Sequence, residues 1–200
     1  MRGHFKTVDS QSIQILGEQN LTHKDQIPGS STVNSSWLLE VYNGNIDQNK
    51  LLFKLPKHYW QMIKAIREST GIFEEYLSNS IDYQLERSNC KVLGFCILPS
   101  KISIMIENCK EISIDEYVVR FSRCLKEIMP NKATDIVIDK KLISTNISSV
   151  SAIKELVLYP LHLGKQPRYY LYSVLHYYLG GYGEEWLDFR LLEQIEADEL

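Results

Sequence analysis

The chain has 200 residues, an apolar fraction of 44% and a charged fraction of 24%, values typical of one soluble globular domain that buries a real core. Its longest apolar runs, such as Val92–Leu98, are too short to cross a bilayer, and no amino-terminal signal pattern is present. The four cysteines lack the spacing of zinc ligands, so we expect packed, reduced thiols in a cytoplasmic protein.

The charge is distributed unevenly along the chain. The net charge is −3, but Glu184–Leu200 contains seven acidic residues and one arginine and so carries −6. The preceding segment, Met1–Gly183, has 18 acidic and 21 basic residues and so carries +3. A mildly basic body with an acidic tail is compatible with DNA binding without requiring it.

In chain order, residues 1–36 are rich in polar residues and predict a flexible arm or an added edge strand. Trp37–Val41 predicts a first strand, which the turn signal Asn43–Asn45 ends. Leu51–Phe53 is the next short strand candidate. Pro56 suits the first position of a helix, because its fixed φ is already helical.

Two helical stretches come next, the first containing Tyr59, Met62, Ile63 and Ile66 at helical spacing and the second covering Phe73–Leu85. The pattern then changes to that of strands. Val92–Leu98 is a continuous apolar run, Pro99 and Ser100 interrupt it, and Ile102–Ile106 alternates apolar residues. Two strands with a tight break between them are predicted.

Ser113 and Glu116 form a capping box that predicts a helix up to Pro130. Ile136–Ile138 and Leu142–Ile147 are strand-like, and Val150–Leu158 is helical. This order predicts an α+β fold, a ferredoxin-like antiparallel sheet with helices packed mainly on one face. The predicted parts are the arm at 1–36, a domain at 37–190 and an acidic tail at 191–200.

Two segments together resemble the REP-associated tyrosine transposases, single-tyrosine relatives of the histidine-hydrophobe-histidine nucleases. Val92–Glu107 (VLGFCILPSKISIMIE) matches a strand, a Pro-containing break and a second strand that ends in Glu. Glu155–Asp188 contains Pro160, Tyr172-Ser173, Tyr178-Leu179-Gly180-Gly181 and Trp186-Leu187-Asp188 in the family's order. The resemblance implies that 37–190 is a transposase-like DNA-binding domain.

The resemblance also implies a mechanism, in which two histidines hold a divalent metal and a tyrosine attacks a DNA phosphate. Lys101 and Ser103 stand at the histidine positions, Glu155 at the tyrosine and Tyr159 at a conserved asparagine of the family pattern. An ammonium has no lone pair for a metal, a serine is a poor ligand, and a carboxylate is a weak nucleophile beside a phosphodiester. We therefore expect no enzymatic activity and no cofactor.

Three functions remain open. The first is a domesticated, inactive transposase-like protein that binds a palindromic or hairpin DNA site as a nucleoid-associated regulator. The second is an active nuclease that needs a divalent metal and uses Tyr159, four residues after Glu155 on the same helix face and near His162. The third is a protein-interaction module that has lost DNA binding. Monomer and homodimer are both compatible with the sequence.

Candidate DNA contacts follow from positive charge and from rings on which bases stack. Lys101 either meets a phosphate where the metal would be or is a solvated lysine at a strand break. The other candidates lie on the capped helix, at the start of the last strand and near the carboxyl-terminal motif: Arg120, Arg123, Lys126, Lys140, Lys141, Lys165, Arg168, Tyr169 and Tyr170. The alternative to DNA contact is that the charged residues form a solvated surface and the tyrosines pack in the core.

Overall fold

The computed structural model describes residues 35–44, 51–52, 55–71, 90–108, 113–129 and 136–195. Four strands form one antiparallel sheet with the order β2-β3-β1-β4. The strands are β1 (Ser36–Asn43), β2 (Val92–Ile97), β3 (Lys101–Glu107) and β4 (Ile136–Ile143). The helices are α1 (Pro56–Ser69), α2 (Ile114–Ile128), α3 (Asn146–Leu158) and α4 (Val174–Leu179). The order β1-α1-β2-β3-α2-β4 is ferredoxin-like, as predicted.

The side chains of β3 alternate between the two faces of the sheet. Ile102, Ile104 and Ile106 project to one side, which we call the isoleucine face. Lys101 and Ser103 project to the other side, which we call the Lys101 face. Pairing carries this division across the sheet, so that residues opposite each other in neighbouring strands share a face. Strand β2 is buried along its whole length, which explains why its sequence is an uninterrupted apolar run.

Helices α1 and α2 pack together on the isoleucine face. The buried side of α1 consists of the residues that the helical period predicted, including Tyr59, Met62 and Ile66. The Tyr117 hydroxyl of α2 donates a hydrogen bond to the Ile66 carbonyl at 3.2 Å. The Ser113 side chain accepts a hydrogen bond from the Glu116 amide at 3.2 Å, which confirms the predicted cap of α2.

Helix α3 lies over the Lys101 face. The Thr145 side chain caps its first turn by accepting from the Ser148 amide at 3.1 Å. Gly94 of β2 allows the close approach, because a Cβ added there would lie 1.9 Å from the Ile153 Cδ1 atom. The buried hydroxyls of Ser36 and Ser149 join β1 to the same helix at 2.8 Å. Helix α3 therefore has a defined position above the sheet.

The carboxyl-terminal motif covers the outer edge of β2. The Val92 amide donates to the Trp186 carbonyl at 2.9 Å, and the Asp188 amide donates to the Val92 carbonyl at 3.0 Å. Further along the strand, the Ile97 amide donates to the Tyr172 carbonyl at 2.9 Å. These bonds satisfy backbone groups that an open edge would leave exposed. Trp186 is buried against Phe95.

Several predicted boundaries need correction. Ile136–Ile138 and Leu142–Ile147 are not two strands, because β4 runs without a break to Ile143 and the Thr145 cap then starts α3 before Val150. Leu51 and Leu52 do not form a strand; the Leu52 amide instead donates to the Pro99 carbonyl at 2.7 Å. The prediction of helices mainly on one face holds for α1 and α2, while α3 covers the opposite face.

Other predictions lie wholly or partly outside the described residues. These are the arm up to residue 34, the helix at Phe73–Leu85, and residues 196–200 of the acidic tail. Cys90 and Cys96 are buried free thiols, as expected, while Cys109 lies outside the described part. In the described ranges, no helix combines the length and apolarity that crossing a membrane requires.

The contact between Gly94 and Ile153 gives a stability prediction. Gly94→Ala is expected to lower the free energy of unfolding by about 1–3 kcal/mol, because the new methyl group overlaps the buried Ile153 side chain. Adding Ile153→Val removes the overlapping Cδ1 atom, so the double variant should lose less than the sum of the single losses. Urea denaturation measures all three variants.

Gly183→Ala is the matched control, because no atom lies within 4 Å of a Cβ at that position. Its stability is expected to stay within about 0.5 kcal/mol of the wild type. Additive losses at positions 94 and 153 would contradict the close packing of α3 on β2.

Candidate nucleic-acid interface

Lys101 is the first residue of β3 and follows the turn at Pro99 and Ser100. Its ammonium forms an ion pair with Glu40 of the neighbouring strand β1. The same nitrogen lies 4.8 Å from the ring centroid of Tyr159, within range of a cation–π interaction. Lys101 and Glu40 each keep 31% of the side chain exposed. The ammonium is thus held between a carboxylate and an aromatic ring.

The surroundings of Lys101 stabilise its charged form. Burial on its own acts to lower the pKa of the Lys101 ammonium. The hydrogen bond with Glu40 and the electrostatic effects of Tyr159 and Glu40 act in the opposite direction and together outweigh burial, so the pKa of Lys101 is raised. Lys101 is therefore a fixed cation throughout the neutral range.

Tyr159 follows the last residue of α3 and begins a short 3₁₀ helix, Tyr159–Leu163. Its hydroxyl lies 3.5 Å from the Glu40 carboxylate, at the outer limit of a hydrogen bond. Burial raises the pKa of Tyr159, and the charges of Glu40 and Glu155 raise it further, although Lys101 opposes them. The phenolate form of Tyr159 is therefore harder to reach than that of an ordinary tyrosine. The exposed His162 ring is 6.1 Å away, centroid to centroid.

Ser103 lies on the same face as Lys101 and is completely buried, opposite Cys96 of β2. Within the described residues its hydroxyl has no hydrogen-bond partner. Burial also raises the pKa of the Cys96 thiol to about 12, so this thiol is a neutral neighbour. Glu155, by contrast, is exposed on α3. Ser103 is therefore part of the packed layer beneath α3 and is not open to solvent.

These side chains do not fit the divalent metal that the family resemblance implies. Lys101 offers only hydrogens, the Ser103 hydroxyl is buried, and the Glu40 carboxylate is already paired with Lys101. In the described segments, no group of three or more His, Cys, Asp or Glu side chains is placed to hold a metal ion. The arrangement supplies a fixed ammonium where the family resemblance would place metal ligands.

Glu40 was not among the residues predicted from sequence, although it completes this cluster. It pairs in register with Asp139 of β4, and Asp139 accepts a hydrogen bond from the Tyr42 hydroxyl. A charged residue between Leu39 and Val41, both buried, was the available signal in the sequence. Lys141 also belongs to the Lys101 face, because it pairs with Leu38 of β1, two residues before Glu40.

The predicted DNA contacts fall into three regions of the fold. One region is on and beside α2, where Arg120 pairs with Glu116 at 2.7 Å and Lys140 of β4 pairs with Asp115. Arg123 and Lys126 are exposed on the same helix. The second region is the Lys101 face. Lys141 lies toward the far end of this face. Lys101 pairs with Tyr42 of β1, and Tyr42 pairs on its other side with Val137 of β4, not with Lys141.

The third region is the segment that follows α3. Lys165 and Arg168 are exposed there, and Tyr169 is 72% exposed. Tyr170 has a structural contact, since its hydroxyl donates to the Ile97 carbonyl at 2.7 Å. Burial raises the pKa of Tyr170, as expected for a packed phenol. The segment therefore lies beside the end of β2 that leads to Lys101.

The ion pair between Lys101 and Glu40 gives a coupling prediction. Lys101→Met and Glu40→Gln should each reduce the free energy of unfolding by about 1 kcal/mol, because each single change leaves half-buried polar groups badly matched. The double variant should lose less than the sum, with a coupling energy of about 1 kcal/mol measured by chemical denaturation. The exposed pair of Lys64 and Glu68, 3.5 Å apart, is the control and should show coupling below about 0.5 kcal/mol. Equal coupling at the two pairs would contradict a shielded ammonium.

Tyr159 gives a pH prediction. Since its proton is bound more tightly in the folded than in the unfolded chain, this residue's contribution to stability is present below about pH 10 and decreases as the pH rises further. The difference in phenolate absorbance between wild type and Tyr159→Phe should show a tyrosine that ionises above its ordinary pKa. Lys101→Met should raise that pKa again, because the ammonium lowers it. A Tyr159 that ionises below pH 10 would contradict this geometry.

Comparison with known proteins agrees with this architecture. No protein-family model and no curated protein matches the sequence. A solved structure of a REP-associated tyrosine transposase bound to a REP hairpin is similar, with 14% sequence identity and a TM-score of 0.52. The match covers 88% of this chain and 100% of that one. The resemblance seen in the two sequence segments is confirmed in three dimensions: the chain has the fold of a REP-associated tyrosine transposase.

Proposed function

We propose that this protein is a catalytically inactive, domesticated transposase-like DNA-binding protein. It recognises a palindromic or hairpin site in the cytoplasm, at the nucleoid, and acts there as a transcriptional regulator. The observation that carries the proposal is the Lys101 ammonium, which Glu40 and Tyr159 hold where the family resemblance would place a metal ligand. A fixed cation there favours phosphate contact over metal-assisted cleavage.

The proposed loss of catalysis rests on the side chains at three family positions. Lys101 cannot bind a metal, Ser103 is buried, and the nucleophile position holds Glu155, a carboxylate. Tyr159 is a phenol beside Lys101, but its raised pKa disfavours the phenolate that would attack. Restoring cleavage would require several simultaneous changes, which is why we propose a binding protein over a nuclease.

DNA binding is supported by the fold and by the cations. The similar structure is that of a protein bound to a DNA hairpin. In the part of the chain that the structure describes, five predicted DNA contacts form no ion pair with a carboxylate: Arg123, Lys126, Lys141, Lys165 and Arg168. Such side chains are available to phosphates and release counterions when they bind.

The proposal predicts DNA affinity that decreases about tenfold or more between 50 and 200 mM salt. The ligand is first identified by selecting bound hairpins and duplexes from a random library, and affinity is then measured by fluorescence anisotropy. One variant tests each of the three regions: Lys126→Gln, Lys141→Gln and Arg168→Gln. The variant in the contact region should reduce the slope of log affinity against log salt by about 1.

Three outcomes would contradict the proposal. Absence of binding to any hairpin or duplex, together with recovery of one specific protein partner, would favour the interaction module. A covalent adduct with DNA that needs magnesium or manganese and is lost in Tyr159→Phe would establish the nuclease. Affinity that does not change with salt would exclude recognition through phosphates.

A further inference from the structure

The ion pair of Lys101 is better shielded from water than that of Lys140, another predicted DNA contact. Lys101 and Glu40 each keep 31% of the side chain exposed, whereas Asp115, the partner of Lys140, keeps 73%. Water weakens an exposed ion pair far more than a shielded one. A phosphate that approaches the Lys101 ammonium therefore competes with a carboxylate that is already firmly bound to it.

Two donors converge on a single oxygen of Glu40. The Lys101 ammonium and the Tyr159 hydroxyl both approach the Oε1 atom, the hydroxyl at 3.5 Å. An ammonium and a phenol on one anionic oxygen are also the contacts that a phosphate oxygen would make at this place. Glu40 thus occupies, from within the chain, the position of a bound anion.

The neighbours of Glu40 in the sheet leave Lys101 as its favourable partner. Glu40 lies in register between Ser103 of β3 and Asp139 of β4. The Ser103 hydroxyl is completely buried, so it offers no exposed partner at the rim. Asp139 is a like charge directly opposite, which disfavours any movement of the Glu40 carboxylate toward β4. The register therefore directs this carboxylate to the ammonium.

We propose that Glu40 is an internal competitor of DNA, whose carboxylate occupies the Lys101 ammonium in the free protein and leaves it when a backbone phosphate binds there. The inference rests on the proposed DNA-binding function and names how that same site is regulated. Binding at Lys101 exchanges one ion pair for another and leaves the Glu40 carboxylate without its cation. Lys101 consequently adds little to the affinity of the wild type.

The test removes the charge of Glu40 and measures DNA affinity by fluorescence anisotropy. Random hairpins and duplexes are selected separately with the full-length wild type and with Glu40→Gln, and both proteins are titrated with each selected DNA. Glu40→Gln should raise the affinity about fivefold, because the phosphate no longer displaces a carboxylate. The slope of log affinity against log salt should steepen by about 0.9. A purely structural role of Glu40 would lower the affinity or leave it unchanged.

Asp139→Asn is the matched control. It removes the same charge from the same face, opposite Glu40 in register, and an asparagine can still accept the hydrogen bond from Tyr42. General attraction to DNA should change by less than about twofold in this variant at physiological salt. Lys101→Met should cost little affinity in the wild type and should remove the gain in the Glu40→Gln background.

Each result decides the inference. Binding of DNA by Glu40→Gln alone would mean that the carboxylate closes the site completely. A gain no larger than that of Asp139→Asn, or a gain that survives Lys101→Met, would show that Glu40 does not compete with DNA, and the proposed function would stand. If neither the wild type nor Glu40→Gln binds any hairpin or duplex, the proposed function fails and this inference fails with it.

Discussion

Alternate side chains of β3 lie on the same side of the sheet. This alternation places Lys101 and Ser103 together on the side that α3 covers, and the rest of the structure depends on that placement. Lys101 and Ser103 project toward that helix, one at the rim and the other in the packed layer. An ammonium at the rim is tolerated because Glu40 neutralises it and Tyr159 covers it. Without that carboxylate, a cation shielded to this extent would be costly.

The rest of the fold keeps this cluster in place. Gly94 brings α3 close to β2, and the Ser36–Ser149 hydrogen bond joins the helix to β1, the strand that carries Glu40. The end of α3 is therefore fixed with respect to the ion pair, and Tyr159 follows directly. At the other side of β2, backbone bonds from Trp186 and Tyr172 close the edge of the sheet.

Much of the fold could be predicted because it depends on local patterns. The Ser113 cap, the inward side of α1 and the break between β2 and β3 follow from neighbouring residues. The partner of Lys101 could not be predicted, because it depends on the register between strands that are distant in the sequence. The start of α3 was misplaced because strand propensity at Leu142–Ile147 hid the Thr145 cap.

The most direct test of the central claim is to measure DNA affinity with magnesium and with a chelator at matched ionic strength, and to run the bound DNA on a denaturing gel. If a fixed ammonium has replaced the metal, the affinity will be the same in both buffers and the DNA will stay intact. Binding that requires the metal, together with a cut strand attached to the protein, would contradict the account.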